Sequence, residues 1–500
     1  MGSYYTKFAV RIGIVCDAIL YESFAPAADF VYLPCDDWQD RLDGLDLLLL
    51  VSTWRGLNHG DWFGVGRVGD TKRRQLLELI AEAKRRGIKT AFYSKEDPPN
   101  YGVFLDFART CDYVFTSAVE KIWDYRRDCG HNRVGLLRFC INPVHDNPIG
   151  SRKGEKIQGA IFSGSWIVKY PLRCRDLAAI LDGVLKSRQS LCIVNRNSYR
   201  EKHPWYRFAR RFRKFELPAM PHAELAALHR KYEWSVNVNS VTDSETMFAA
   251  RCYELLANGC LVISNFSVGM LKELPEIAIA DTPRFACEML TKLTDRDKSA
   301  LRKAGIRRVM NGNTCFDRVA ELLNFVGIKV DLPQPKVAVV IPDDDPDLRK
   351  MFDAQSYRNV ELMAGGQGKV DLDGFDYVTY WQAGMKYGRY FIQDLLDAFK
   401  YADIDFSISD EPGYRYVRKP VSGRTLFRVG AAPIHGLSVG DETVTEPCDN
   451  LLTSIHEIVK HPERRPEDFR APFLVRALSC LYDNGILYTL KRIVYGKQHA

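Results

Sequence analysis

Apolar residues along this chain cluster in short runs, and amphipathic stretches separate them. Residues 10–16 read VRIGIVC and residues 45–52 read LDLLLLVS, two β-rich apolar runs that predict buried strands. Residues 71–86 carry helical spacing and many charges, and Gly87 stops them. Residues 88–93 predict a further strand, 94–101 a loop, 104–110 a helix and 113–116 a strand. Strands alternating with helices predict a parallel sheet covered on both faces.

The pattern restarts after a polar stretch at 147–156. Strands are predicted at 160–163, 191–195, 234–237 and 260–264, with helices at 172–185, 222–229 and 247–258, the last closed by Gly259. The fold class is therefore α/β, with two Rossmann-like lobes at 1–150 and 151–330. Such sheets bind ligands at the carboxyl ends of their strands, so two lobes predict a cleft. A Pro-bearing linker at 331–336 leads to a third segment, 336–500, which opens with the strand 337–341 and ends in a basic helical tail at 478–497.

Composition narrows the class. At 500 residues, 46% hydrophobic and 27% charged, the chain is an ordinary multi-domain globular protein, not a disordered, collagenous or coiled-coil one. The net charge of +7 allows an anionic substrate or a peripheral contact with a membrane face, and does not by itself argue for nucleic acid. Thirteen scattered cysteines lack zinc spacing and fit free thiols in a reducing compartment. With no apolar signal core at residues 1–8, a cytoplasmic location is expected.

Four segments carry candidate chemistry. In 244–265, Glu254 lies on a helix that leads straight into a strand, and its carboxylate suits a vicinal diol because it accepts two hydrogen bonds. The alternative is a surface glutamate on an amphipathic helix. In 161–173 a strand runs into Ser163-Gly164-Ser165, small residues that let backbone approach a phosphate, followed by Tyr170 and Arg173. The same turn reads equally as structural. Trp54 and Arg55 in STWRG, and Lys95, Glu96 and Asp97 in SKEDP, follow buried strands, where they would line a cleft or serve as caps and surface ion pairs.

Taken in order, Trp54-Arg55-Gly56, Lys95-Glu96-Asp97-Pro98, 111–116 (CDYVFT), 162–165 (FSGS), Tyr170-Pro171, Arg173 and the set Arg251, Glu254, Leu255, Leu256, Ala257 and Gly259 resemble bacterial two-domain (GT-B) glycosyltransferases of the spore-maturation-protein-like group. The resemblance spans roughly 8–330. It implies a nucleotide-sugar donor held by Ser163, Gly164, Ser165, Tyr170, Arg173, Asn239, Arg251 and Glu254, the last on the ribose. It implies an acceptor side at Trp54 and Lys95, and catalytic roles for Glu96, Asp97 and Arg55. The second glutamate of the retaining members is replaced by Thr246, with Glu245 one residue away.

The third segment resembles a shortened GT-A (family-2-like) glycosyltransferase domain through 337–342, 355–361, 376–379 and 390–398. The carboxylate pair that would hold a metal on the donor is replaced by Trp381-Gln382-Ala383-Gly384, so no cofactor and no metal are expected. The resemblance implies transfer of a sugar to a cell-surface glycan or lipid-linked acceptor (capsule, lipopolysaccharide or similar), with no nucleic acid partner and room for a homo-oligomer. A sugar-nucleotide epimerase and a non-catalytic glycan- or nucleotide-binding scaffold are the alternatives. The stretch 206–215, YRFARRFRKF, is basic and aromatic and could touch nucleic acid, an anionic lipid or an acceptor polymer, or simply face solvent.

Overall fold

The computed structural model describes residues 4–58, 60–151, 156–200, 204–364, 370–410, 413–432 and 434–439. They form two compact units. One holds the described residues up to 151, together with Ser244–Gly259 and those from Lys303 onward; the other holds 156–243 and Cys260–Arg302. The basic tail expected at 478–497 lies outside the described residues.

In the first unit, β1 (Phe8–Val15), β2 (Ala28–Tyr32), β3 (Leu47–Val51), β4 (Lys89–Ser94), β5 (Tyr113–Thr116) and β6 (Val134–Leu136) make a sheet of order β2-β1-β3-β4-β5-β6. All its pairings are parallel. Every residue of β3 is buried, as a strand covered on both faces requires. The helix Thr71–Arg85 supplies Leu76, Leu79 and Ile80 to one core. On another, Phe316, Val319, Leu322 and Leu323 of the helix Cys315–Phe325 pack with Ile12, Ile14, Leu47 and Leu49. Residues 303–330, which the sequence groups with the second lobe, therefore lie in the first unit.

The second unit is built on β7 (Ile157–Gly164), β8 (Ser190–Asn195), β9 (Glu216–Leu217), β10 (Tyr232–Asn237), β11 (Leu261–Ser264) and β12 (Ala278–Ile279), in the order β12-β11-β10-β7-β8-β9. These pairings too are parallel. Counted within the unit, this is the dinucleotide-fold order, and the strand direction of travel reverses between β7 and β10. Two Rossmann-like sheets in one chain make the expected GT-B fold class.

A third, mixed sheet belongs to the first unit. It comprises β13 (Val337–Ile341), β14 (Val360–Ala364), β15 (Tyr377–Tyr380), β16 (Phe406–Ile408), β17 (Tyr414–Val417), β18 (Thr425–Arg428) and β19 (Gly436–Val439), ordered β14-β13-β15-β18-β16-β19-β17. The linker 331–336 suggests a separable domain, but the chemistry of the helix Phe391–Tyr401 argues otherwise. Arg307 donates twice to Asp394, at 2.7 and 2.9 Å, and the buried Lys400 ammonium reaches the Met310 carbonyl at 2.9 Å and Asp397 at 2.9 Å. Cutting at the linker would strand these charges.

Candidate active site

The first sheet changes direction between β1 and β3, and the loops at their carboxyl ends meet there. Asp17 follows β1 directly. Its carboxylate accepts from the Thr53 hydroxyl at 2.6 Å, from the Arg55 and Gly56 amides at 3.0 and 3.1 Å, and from Lys95 Nζ at 3.1 Å. Burial pushes the Asp17 pKa up, but the Lys95 ammonium and the Thr53 and Arg55 donors more than reverse this, and the carboxyl sits below its ordinary value. The loop needs Gly56: its φ is +79°, and a Cβ there would run into Asp61 and the Tyr32 hydroxyl. Asp17 thus fixes the STWRG backbone, and Trp54 and Arg55 are left exposed. The indole of Trp54 meets Phe104 edge-on at 5.1 Å.

Lys95 and Glu96 follow β4, the next strand. Lys95 stands between two carboxylates, Asp17 and Glu96, the latter at 3.5 Å. Asn100 Nδ2 donates to Glu96 at 3.3 Å, and the Glu96 side chain keeps partial access to solvent. Asp97 differs. It is 0% exposed and accepts from the hydroxyls of Thr116 at 2.6 Å and Tyr125 at 3.3 Å. Burial raises its pKa to about 6. Expected among the catalytic residues, Asp97 instead ties the SKEDP loop to β5 from beneath and has no surface with which to meet a substrate.

Glu254 and Arg251 lie on the helix Arg251–Ala257, also in the first unit, and both are partly exposed. The sequence pattern extends this helix from 247; the structure starts it at Arg251. Thr246 explains the difference. Its hydroxyl donates to the Ser117 carbonyl at 2.8 Å and accepts the Val119 amide at 2.9 Å, just past β5, while Ser244 Oγ takes the Met247 amide at 2.9 Å. These bonds hold 244–247 in a non-helical lead-in.

In the second unit the direction change between β7 and β10 brings Ser163-Gly164-Ser165 beside Asn237 and Asn239. Arg173, on the helix Pro171–Lys186 that Tyr170 precedes, donates to the Ser165 carbonyl at 2.7 Å and so braces the turn. Asn239 and Asn265 interlock, the Asn239 amide to Asn265 Oδ1 at 2.7 Å and Asn265 Nδ2 to the Asn239 carbonyl at 3.1 Å. Below the turn, the buried His229 ring lies 2.9 Å from Ser163 Oγ through Nε2 and 2.7 Å from Ser235 Oγ through Nδ1. Ser163, Gly164, Ser165, Tyr170, Arg173 and Asn239 thus come together here, whereas Arg251 and Glu254 are carried by the other unit.

Asp17, His229, Asn237 and Asn265 join the sequence-derived set. A visible signal existed for Asp17 and the asparagines: each is a polar residue at or just past the end of a buried strand. In the third sheet, Trp381 stacks on Tyr387 with centroids 4.1 Å apart and planes at 4°. An indole in a buried aromatic stack cannot replace a metal-ligating carboxylate, so the residues there do not fit a divalent ion. Among the described residues no group of three or more His, Cys, Asp and Glu could hold a metal, no helix is long and apolar enough to cross a membrane, and none of the eleven cysteines forms a disulfide.

No curated protein matches the chain in sequence. Solved structures that resemble it loosely include the following three. The N-terminal domain of trehalose-6-phosphate phosphatase from Candida albicans is 11% identical, covering 66% of this chain and 99% of its own, at a TM-score of 0.42. An alpha-glucosyltransferase in complex with UDP-glucose and DNA containing an abasic site is 10% identical over 64% of this chain and 100% of its own, at 0.46. An alpha,alpha-trehalose-phosphate synthase (UDP-forming) from Burkholderia vietnamiensis is 11% identical over 64% and 98%, at 0.42. These likenesses are too loose to carry function. Residues 189–324, from β8 to the helix Cys315–Phe325, match the model of a family described as glycosyl transferase-like. The chain therefore carries a glycosyl transferase-like domain, and its enzyme class is glycosyltransferase.

Proposed function

We propose that the chain moves a sugar from a nucleotide-sugar donor to a glycan or lipid-linked acceptor of the cell surface, without a metal. The observation that carries this is the turn at the β7–β10 direction change. Small residues there let backbone N–H groups approach a diphosphate, Arg173 stiffens the turn, and the asparagine pair lies alongside. Charge developing on the leaving diphosphate is met by those amides and by Arg173.

On the acceptor side, Glu96 is the base or the acceptor anchor, with Lys95 beside it and Arg55 on the loop after β3; Asp97 keeps the Glu96 loop in place. The third sheet is a GT-A relative that has exchanged its metal site for the Trp381–Tyr387 stack, and it serves packing or acceptor contact. The order of motifs along 8–330 supports membership of the spore-maturation-like group. The exposed cations of 206–215 support a peripheral contact with an anionic membrane face from the cytoplasm.

The test is calorimetric titration of the full chain with UDP, GDP, ADP and CDP, followed by glycosyl transfer in excess EDTA. One nucleotide is expected to bind, and transfer to survive EDTA. Absence of any nucleotide binding overturns the proposal; loss of transfer that manganese or magnesium restores overturns its metal-free part.

A further inference from the structure

The loop after β3 holds an arrangement that the donor chemistry does not use. Two aromatic side chains stand out from it, Trp54 at 39% exposure and Phe63 at 53%. Two guanidinium groups lie against the Phe63 ring, Arg55 at 5.8 Å and Arg67 at 5.4 Å from its centroid. Both arginines are exposed, and neither makes an ion pair among the described residues.

Nearby acids do not neutralise them. Asp17 is taken by the loop backbone and Lys95. Asp61 accepts from the Tyr32 hydroxyl at 2.8 Å and the Trp62 amide at 3.0 Å, and Asp70 caps the helix Thr71–Arg85. The loop is also pre-organised. The Trp62 amide bonds the Arg55 carbonyl at 3.0 Å, closing the loop on itself, and the buried Trp62 indole donates to the Leu33 carbonyl at 3.0 Å. Gly66 passes under the Trp54 ring so closely that a Cβ would lie 2.7 Å from it. Phe63 is exposed because its neighbour Trp62 is anchored.

We propose that this loop is the acceptor subsite and that the acceptor is an anionic sugar, phosphorylated or uronic; this rests on the glycosyl-transfer reading. A sugar ring lays its C–H face on an exposed aromatic ring. Cation–π contact holds a guanidinium in place yet leaves its N–H edge open, and that edge suits the two oxygens of a carboxylate or phosphate. Two unneutralised cations against one ring repel each other until an anion arrives, so a neutral sugar would use only half of what the loop offers.

The test is calorimetry on the full chain with glucose 6-phosphate, glucuronate and glucose as probes, alongside the nucleotide titration. One or both anionic sugars are expected to bind at least about ten-fold more tightly than glucose, and the better of the two identifies phosphate or carboxylate. Arg67→Gln and Arg55→Gln should each remove about ten-fold of that affinity and leave glucose unchanged. Equal binding of all three sugars, or full affinity in both variants, overturns the inference. So does binding of phosphatidylglycerol vesicles that is lost in the variants while no sugar binds. If no nucleotide binds, it is the glycosyl-transfer reading that fails, and the sugar preference is still read on its own.

Discussion

The Asp17 carboxylate lies 2.6 Å from the Thr53 hydroxyl, joining the ends of the two strands between which the first sheet changes direction. One carboxylate serves a hydroxyl, the three backbone amides of Trp54, Arg55 and Gly56, and an ammonium. Asp17→Ala is expected to cost about 2 kcal/mol of stability, because buried donors lose their acceptor, and to lower turnover far more than a comparable loss of stability elsewhere. Asp17→Asn restores part of both. The folded pKa is depressed, so the carboxylate's contribution is complete above about pH 4 and disappears as pH falls through the folded value. Urea unfolding at several pH values, with activity measured on the folded fraction, checks this; unchanged turnover in folded Asp17→Ala would remove Asp17 from the site.

Asp97 and Glu96 are neighbours with opposite expectations. Asp97 has a folded pKa raised to about 6 by burial, so its ionisation opposes folding. Between about pH 4 and 6 the folded state holds the extra proton, and stability should fall by up to roughly 3 kcal/mol as pH rises through that window, then level off. Asp97→Asn flattens this stretch of the profile and keeps activity wherever the chain is folded. Glu96→Gln lowers turnover in the folded protein. Activity lost in a stable Asp97→Asn would return Asp97 to the catalytic group.

The sequence discloses strands and turns better than partnerships. Leu47–Val51 is legible because a strand covered on both faces has no polar position to hide it, and Ser163-Gly164-Ser165 because small residues directly after such a strand mark a close backbone approach. Asp17 could be seen as a strand end, but its partners Thr53 and Lys95 lie 36 and 78 residues away, and no local pattern encodes that. His229 looks like the last turn of an amphipathic helix; only the sheet brings Ser163 and Ser235 to its two nitrogens. The helical spacing that begins at 247 becomes helix only from Arg251, because the bonds of Thr246 to Ser117 and Val119 override local helical propensity.

His229 supports the donor turn from below. Its ring lies between the two serine hydroxyls, so an apolar replacement takes a buried hydrogen-bond partner from each. His229→Leu is expected to lose roughly 1–3 kcal/mol and to weaken nucleotide binding through disorder of Ser163–Ser165. His229→Gln, which keeps a donor and an acceptor, should recover part of the nucleotide affinity. Thermal unfolding and nucleotide titration on the same samples decide the matter: full nucleotide affinity in folded His229→Leu would mean that the turn stands without it.

The last prediction concerns how the third sheet is joined to the rest of the first unit. Lys400 and Asp397 are both almost wholly buried and lie 2.9 Å apart, with Asn311 and the Met310 carbonyl completing their hydrogen bonds. Removing one member of a buried pair leaves the other charge unpaired in a poorly solvating site, at a cost of about 3–5 kcal/mol. Asp397→Ala should therefore destabilise strongly, whereas Asp397→Ala combined with Lys400→Met, which removes both charges, should regain most of the loss. A chain ending at 328 should behave like the single variant or worse, since Arg307 would lose Asp394 as well. Urea unfolding of the three proteins checks this. A 1–328 chain as stable as the full one would show that the linker separates an independent domain after all, and that the ion pairs across it contribute nothing to the fold.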